Sequence, residues 1–474
     1  MRLRIDELAS LWMETPTAPV QVSLLITLEP VGPDPLTAEG LIGLLAARVE
    51  HLPSLHRRIR REGPYHAQWV PDSSPATDRI LLDAPDAPDA PNAPGDLADT
   101  VPAVWRWAAD RAVRPLPADQ PPWRVLIARD GRGDGTGGGP ALLITAHHAL
   151  VDGAKGLDLV RSLLGDPSPN TAPSPAPHAL PAPAASFPRP GPPWRQRLRA
   201  RTATAGCVLA ALTALRGREP DAGLPRTAGT GRCLDVVHRP LEPVHEIARV
   251  LGVTITDVVL AAVASALRDL CATRGSLPPG LVLRASVPIA QPGGGQATGL
   301  MVVPLPVGEP DPGRRLAVVA SATAPVRARV RRARSAGTSP PRPRSAPGPG
   351  AVPGLVPALL RRGLVRSRKW GETRVTAAVT TLRGPAGPWL LPGARVTGIV
   401  PIAPLSDRVR VSVTMVSFDN TLTVALHTGE GLDPRRVLGR ALGRGLDQML
   451  DTPVEPDTDA GHSARPPHPR RPSP

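Results

Sequence analysis

The amino-acid sequence predicts a mixed α/β protein built as two lobes. The chain has 474 residues, which is more than a single hydrophobic core usually supports. Apolar strand patterns alternate with amphipathic helix patterns along its length, and a proline- and arginine-rich linker at residues 166–204, expected to be extended, divides it. Hydrophobic residues make up 41% of the chain, which is enough to build two cores.

The first lobe is predicted over residues 1–165. Its strand patterns lie at residues 20–28, 124–128 and 141–146, and its helix patterns lie at residues 37–50, 104–112 and 153–164. Residues 84–94 repeat Asp-Ala-Pro and are expected to form a loop, because proline fixes φ and removes a hydrogen-bond donor. The glycine-rich residues 131–139 lack the GK[ST] of a phosphate-binding loop and are expected to connect a hairpin.

The second lobe is predicted over residues 205–451. Its helix patterns lie at residues 242–251, 256–273 and 434–450, and its strand patterns lie at residues 281–288, 300–306, 374–381, 396–400, 409–416 and 421–427. Residues near 326–370 are expected to form a basic and partly disordered insert, because proline, serine and arginine dominate residues 335–350. The polar, proline-rich tail at residues 452–474 is also expected to be disordered.

Candidate catalytic residues follow the apolar strand pattern at residues 141–146. The chain continues there as His147-His148-Ala149-Leu150-Val151-Asp152-Gly153. An imidazole titrates near pH 6.5, so it can accept a proton from an alcohol and return it within one turnover. The carboxylate of Asp152 can orient its neighbours, and Gly153 allows a sharp turn. This position between a strand and a helix is typical of active sites.

Two other interpretations of the histidine pair remain open. Histidines at the end of a strand can be a hydrogen-bonded surface pair without a catalytic role. A metal site is disfavoured, because zinc requires three or four ligands and the sequence contains neither HExxH nor a CxxC pair. No metal is therefore expected. The three cysteines are odd in number and widely spread, which favours a reducing compartment over a disulfide framework.

The HHxxxDG pattern resembles the signature of an acyltransferase superfamily. That superfamily includes chloramphenicol acetyltransferase, the condensation domains of peptide synthetases and the bacterial wax ester synthase/diacylglycerol acyltransferases. Five further segments are similar to motifs of the last family, in matching order between residues 3 and 449. They are ETPTAP at residues 14–19, PPW at 121–123, TITDVV at 254–259, GARV at 393–396 and PIAPL at 401–405. The resemblance therefore covers nearly the whole chain.

The resemblance implies a fold, a reaction and a catalytic residue. It implies two chloramphenicol-acetyltransferase-like lobes with the active site in a tunnel between them. It also implies that His148 is the general base, supported by His147, Asp152 and Gly153, and that an acyl group passes from acyl-CoA to a lipid alcohol. Acyl-CoA would be a co-substrate rather than a resident cofactor. Diacylglycerol is the favoured acceptor, and a long-chain fatty alcohol, giving a wax ester, is the alternative.

The chain departs from the family pattern at several positions. Relatives carry asparagines where this chain has Thr256 and Thr381, and residues 289–295 lack the usual arginine and Gly-Asn pair. A lost amide is a lost hydrogen-bond donor for the oxyanion or for CoA, so a non-catalytic paralogue that binds acyl-CoA or lipid remains open. Asp257 is retained and is expected to be an N-terminal helix residue favoured by the helix dipole.

The formal net charge of +15 is unevenly distributed. Residues 312–371 contain thirteen arginines and Lys369 but no acidic residue. Such a segment can attract anionic lipid headgroups, contact CoA phosphates or form a solvated loop. Nucleic acid is disfavoured as a partner, because aromatic residues make up only 2% of the chain and no binding motif occurs.

The sequence also leads to an expected location. The N-terminal residues lack the apolar core of a signal peptide, and no run of about 18 apolar residues occurs. We therefore expect the protein in the cytoplasm, with peripheral contact at the inner membrane surface or a lipid droplet.

Overall fold

The computed structural model describes most of both predicted lobes. The described residues are 1–63, 66–83, 102–129, 139–151, 153–165, 219–225, 229, 231–289, 299–335, 355–384, 387–406, 408–433 and 435–451. Several predictions fall wholly or almost wholly outside these ranges. They concern the loop at residues 84–94, the connection at 131–139, the linker at 166–204, the tail at 452–474 and the side chain of Asp152.

Helices and strands alternate through the described part of the chain. The helices are α1 (Ile5–Met13), α2 (Ala38–Glu50), α3 (Ala103–Ala112), α4 (Gly153–Leu164), α5 (Leu241–Val250), α6 (Ile255–Thr273), α7 (Pro312–Ser335), α8 (Leu355–Glu372) and α9 (Val437–Leu450). The strands are β1 (Gln21–Pro30), β2 (Arg57–Arg61), β3 (Ala67–Pro71), β4 (Ile80–Leu82), β5 (Trp123–Ala128), β6 (Ala141–His147), β7 (Arg232–Pro240), β8 (Leu283–Ile289), β9 (Gly299–Leu305), β10 (Ala377–Leu382), β11 (Leu390–Leu391), β12 (Ala394–Ile402), β13 (Val411–Phe418) and β14 (Thr421–Gly429).

The first sheet places β6 at its centre. Its strand order is β11-β12-β1-β6-β5-β4, and β6 pairs antiparallel with both β1 and β5. Helices α2 and α4 cover one face and α3 covers the other. Since side chains alternate between the two faces of a strand and both faces are covered, all seven residues of β6 are buried. Its near-continuous apolar sequence therefore ends at His147 inside the molecule.

The second sheet packs against helix α6. Its strand order is β7-β14-β13-β10-β8-β9. Helix α6 is buried on almost every side, including Val258, Ala262 and Leu267, and it packs with this sheet and with α9 in one hydrophobic cluster. A helix that is apolar around its whole circumference is expected at the centre of a core.

The two lobes are joined more closely than the predicted division at residues 166–204 implies. Strands β11 and β12 belong to the predicted second lobe, yet β12 pairs antiparallel with β1 of the first sheet. A further hydrophobic cluster contains Leu25 and Leu143 from the first sheet together with Leu234 and Ala425 from the second. The side chains at residues 399–402 of β12 are buried, so this strand supplies core to the first sheet.

Two helices lie within the basic segment, and the part that was expected to be disordered, residues 335–350, lies almost wholly outside the described ranges. Helix α7 spans most of residues 312–335, and α8 covers Leu355–Glu372. Alanine and arginine are good helix formers, the carboxylate of Asp311 accepts the Arg314 backbone N–H at 2.7 Å, and Leu316 and Val319 pack in the second core. The remaining residues of the predicted insert, 336–354, lie outside the described ranges.

Among the described residues, no single helix combines the length and apolar character needed to cross a bilayer. Helices α5 and α6 reach that length only as a pair, which is bent by 101° at the break between them.

Candidate active site

The HHxxxDG segment forms a tight turn between β6 and α4. The carbonyl oxygen of His147 accepts the backbone N–H groups of Leu150 at 2.8 Å and Val151 at 3.2 Å. Helix α4 then begins at Gly153. The predicted position of the motif between a strand and a helix is confirmed.

The backbone of the two histidines is bound by the PPW segment and by the residue that directly follows the ETPTAP segment. The backbone N–H of His147 donates to the carbonyl of Pro122, in the PPW segment, at 2.9 Å. The backbone N–H of His148 donates to the carbonyl of Val20, directly after the ETPTAP segment, also at 2.9 Å. Segments separated by more than one hundred residues in sequence therefore meet at this turn.

The His147 side chain is enclosed and has a defined orientation. The residue is 5% exposed, and its Nδ1 accepts the backbone N–H of Ala149 at 3.0 Å. Its Nε2 lies 3.5 Å from Oε1 of Glu14, which is within ion-pair distance but without hydrogen-bond geometry. A ring with both nitrogens directed at protein groups is suited to supporting the turn rather than meeting a substrate.

The His148 side chain has a different environment. The residue is half-buried, and its Nδ1 is a buried atom. The exposed surface of this residue therefore belongs to its other atoms. Asp152 lies outside the described residues, so its supporting role stays a prediction, as does the role of Gly153 beyond beginning α4.

Glu14 is the charged group beside this turn. Its Oε2 lies 3.4 Å from the guanidinium of Arg61 on β2, while Oε1 faces His147. Burial acts to raise the pKa of Glu14, but the polar contact and charge at His147, the charge of Arg61 and the backbone N–H of Val20 together hold that pKa below its ordinary value. The carboxylate is therefore ionised at neutral pH.

The tryptophan of the PPW segment has a structural role. Trp123 is 2% exposed, and its indole N–H donates to the carbonyl of Leu55 at 2.9 Å. The guanidinium of Arg79 lies 5.1 Å from the ring centroid, within the range of a cation–π contact. This residue fixes the start of β5 next to the Pro122 carbonyl that binds His147.

Asp257 of the TITDVV segment lies in the first turn of α6, as expected, and also binds residues of α7. It is fully buried and forms a capping box with Thr254 at the start of α6. It also accepts the hydroxyl of Thr323 at 2.6 Å and pairs with the guanidinium of Arg327, both on α7. Asp257 therefore ties the first turn of α6 to α7.

The two threonines at the positions where the family resemblance implies asparagines contact each other. The hydroxyls of Thr256, in the first turn of α6, and Thr381, near the end of β10, lie 3.2 Å apart. Their positions are 125 residues apart in sequence. Because each hydroxyl can donate and accept, the contact joins the first turn of α6 to β10.

The remaining motifs shape the junction of the lobes. Gly393 of the GARV segment has φ of +74°, a conformation that favours glycine, and its carbonyl accepts the N–H groups of Val31 and Leu36 at 3.0 Å each. The PIAPL segment ends β12 and lines a small pocket together with Gln21 and His427. His427 was not recognised from the sequence, because it has no motif around it.

Within the described ranges, no group of three or more His, Cys, Asp or Glu side chains converges in a way that could hold a metal ion. The chemistry of the described site is that of an imidazole beside a carboxylate-supported turn.

Known proteins resemble this chain over most of its length. The wax ester synthase/diacylglycerol acyltransferase catalytic domain matches residues 4–259, and the C-terminal domain of the same family matches residues 294–439. A putative diacylglycerol O-acyltransferase of Mycobacterium bovis is 28% identical over 345 residues, covering 66% of this chain and 68% of that protein. A probable diacylglycerol O-acyltransferase of Mycobacterium tuberculosis matches to the same extent.

Solved structures share the fold. The wax ester synthase/diacylglycerol acyltransferase from Marinobacter aquaeolei VT8 superposes with a TM-score of 0.63 at 19% identity, covering 95% of this chain and 98% of that one. The first condensation domain of the calcium-dependent antibiotic synthetase gives a TM-score of 0.56 at 16% identity, covering 96% and 97%. The predicted acyltransferase-type α/β fold is confirmed, while the tunnel between the lobes stays a prediction.

The fold and the matched domains define an acyltransferase. The chain belongs to the wax ester synthase/diacylglycerol acyltransferase family.

Proposed function

We propose that this acyltransferase transfers an acyl group from acyl-CoA to the free hydroxyl of diacylglycerol, with His148 as the general base. The observation that carries the proposal is the turn at His148, where backbone hydrogen bonds to Pro122 and Val20 fix the two histidines at the end of a buried central strand. The relatives named as diacylglycerol O-acyltransferases support the choice of acceptor.

In this mechanism, His148 moves one proton. Because Nδ1 of His148 is buried, we assign the transfer to Nε2. Nε2 takes the proton of the diacylglycerol hydroxyl. The hydroxyl oxygen attacks the thioester carbonyl carbon at the same time, and a C–O bond forms. The C–S bond then breaks, and the CoA thiolate takes the proton from the imidazolium. A positioned base of this kind contributes roughly 10²–10⁴-fold to the rate.

The acceptor is tested with purified protein. We expect labelled palmitoyl-CoA and diacylglycerol to give labelled triacylglycerol, and His148→Ala to lower the rate at least about 100-fold. His245→Ala, which removes an exposed histidine of α5, is the matched control and should keep the wild-type rate. Ester formation only with hexadecanol would identify a wax ester synthase. No ester with either acceptor, or an active His148→Ala variant, would contradict the proposal.

The Thr256–Thr381 contact bears on the non-catalytic alternative. Two amides are absent, but a hydroxyl pair at 3.2 Å links the same two elements. Measurable ester formation by the wild-type protein decides between the enzyme and a binding-only paralogue.

We further propose that the protein acts in the cytoplasm at an anionic lipid surface, where its lipid acceptor resides. Arg362 and Arg366 of α8 are exposed, and Trp370 on the same helix is 37% exposed. Arg331 and Arg332 of α7 are exposed as well. Each cation near an anionic surface contributes about 1 kcal/mol, and tryptophan favours the membrane interface.

This surface is tested by co-sedimentation with vesicles. The protein should bind vesicles of phosphatidylglycerol and phosphatidylcholine, release in high salt and bind pure phosphatidylcholine weakly. An Arg362→Ala/Arg366→Ala variant should bind less, whereas Arg249→Ala, on the exposed face of α5, should bind normally. Equal binding by the two variants would show that α8 is merely solvated.

A further inference from the structure

The ETPTAP segment acts on the active-site turn through two separate contacts. The chain forms a small bridge in which Thr15 and Ala18 exchange backbone hydrogen bonds of 3.1 and 3.3 Å. This bridge places Glu14 beside the His147 ring and delivers the Val20 carbonyl to the His148 backbone N–H. The Val20 contact needs only backbone, whereas the Glu14 contact depends on one side chain.

The hydrogen bond from Ala149 shows which tautomer of His147 the folded turn requires. A ring nitrogen that accepts a hydrogen bond carries no proton, and Nδ1 accepts the Ala149 N–H at 3.0 Å. In the neutral ring the proton therefore sits on Nε2. That Nε2–H lies in the interior and faces the Glu14 carboxylate at 3.5 Å.

His147 in turn organises the turn that carries His148. Its carbonyl oxygen accepts the N–H groups of Leu150 and Val151, and its ring accepts that of Ala149. The N–H groups of three consecutive residues after His148 are thus bound to one residue. If the ring took the Nδ1–H form, two donors would face each other at Ala149 and this bond would be lost.

We propose, on the basis of the function proposed above, that Glu14 is a positioning residue for acyl transfer, which holds His147 as the Nε2–H tautomer and thereby fixes the turn that presents His148. Carboxylates that hold the tautomer and orientation of a functional histidine are a general device. Here the carboxylate acts one residue away from the base, through the backbone.

Arg61 provides a matched control within the same group of charges. The Arg61 guanidinium contacts Oε2 of Glu14, whereas Oε1 of Glu14 faces Nε2 of His147. Removing Arg61 therefore breaks one ion pair of Glu14 and leaves the contact with His147. Removing the Glu14 carboxylate breaks both.

The kinetic test compares Glu14→Ala, Glu14→Gln and Arg61→Ala with the wild-type enzyme. We expect Glu14→Ala to lower kcat by about 10-fold or more, with KM for acyl-CoA within about twofold. Glu14→Gln keeps an oxygen that can accept the Nε2–H and should recover most of that loss. Arg61→Ala should keep at least about half of the wild-type kcat. Equal losses in Glu14→Ala and Arg61→Ala, or no loss in either, would overturn the proposal.

A second readout does not require activity. In protein with ¹⁵N-labelled histidine, His147, assigned by its absence in His147→Gln, should show a protonated Nε2 and a bare Nδ1 in the wild type and in Arg61→Ala. Glu14→Ala should shift it toward the Nδ1–H form. If the wild type makes no ester, the proposed function fails, and this measurement still decides the Glu14–His147 contact. A wild-type Nδ1–H tautomer, or a spectrum unchanged in Glu14→Ala, would overturn the inference.

Discussion

His427 makes the folded protein sensitive to acid. Its ring is buried on β14, and Nδ1 lies 3.0 Å from the carbonyl oxygen of Ala403. Since a carbonyl only accepts, Nδ1 carries the proton of the neutral ring. Burial lowers the pKa of His427, and the positive charge of Arg232 also lowers it. The hydrogen bond to Ala403 acts in the opposite direction, and the resulting pKa is about 4.

The direction and size of the pH effect follow from that value. An unfolded histidine has a pKa of about 6.5, so between pH 6.5 and 4 the unfolded chain binds a proton that the folded chain does not. The stability linked to His427 is therefore complete above about pH 6.5 and is lost as pH falls toward 4. The difference between the two pKa values corresponds to about 3 kcal/mol in total, of which about 2 kcal/mol is lost by pH 5.

The assay is urea unfolding of the wild type and His427→Asn at pH 7 and pH 5. Asparagine keeps an N–H that can donate to Ala403 but does not titrate. Burial raises the pKa values of Glu219 and Asp235, which act with the opposite sign, but they are present in both proteins and cancel. Between pH 7 and pH 5, the free energy of unfolding should fall by about 2 kcal/mol more for the wild type than for the variant. Equal losses would refute the reasoning.

Three further predictions concern contacts at the motif segments. Thr256→Ala and Thr381→Ala should be coupled by about 0.5–1 kcal/mol in a double-mutant cycle on the free energy of unfolding, and additive effects would contradict the contact. Asp257→Ala should lower that free energy by about 3 kcal/mol in urea, because buried donors lose their acceptor; a loss below about 1 kcal/mol would contradict the buried pair. Gly393→Ala should destabilise by more than about 1 kcal/mol, because its φ is positive and a methyl group would overlap the Asp34 carbonyl. Gly43→Ala, in an open position on α2, should instead raise the melting temperature slightly, and equal shifts of both variants would contradict the conformational argument.

Local periodicity predicted three of the elements closely. The apolar pattern at residues 141–146 corresponds to β6, and the pattern at 256–273 corresponds to α6, each within one residue. Both elements are covered on almost all sides, so their sequences are apolar enough to be recognised without tertiary information. The helix pattern at residues 153–164 likewise matches α4.

Elements with a polar face were missed. Strand β2 reads Arg-Arg-Ile-Arg-Arg, and only its isoleucine is buried. Strand β7 buries only two of its nine residues, and α1 is a short helix that the sequence analysis did not assign. The pairing of β12 with β1 was also missed, because strand order is set by contacts between residues more than 360 positions apart, which local patterns do not contain.

The motif resemblance located the site but not the role of each residue in it. It identified Glu14, Trp123 and Gly393 as members of segments similar to family motifs, and the structure assigns them to a turn contact, a buried hydrogen bond and a positive-φ corner. It counted Thr256 and Thr381 as separate departures, although their hydroxyls meet. Such pairings require the folded chain.

The contacts at the turn separate two ways of fixing His148. The bonds from His147 to Pro122 and from His148 to Val20 join backbone to backbone, so most side-chain substitutions at Pro122 or Val20 leave the hydrogen-bonding groups in place. The bond from Ala149 to His147 uses a side chain, and its acceptor is a ring nitrogen whose protonation depends on Glu14. Among the described contacts of the turn, sensitivity to substitution should therefore concentrate at His147 and Glu14, while changes at the backbone partners act mainly through folding stability.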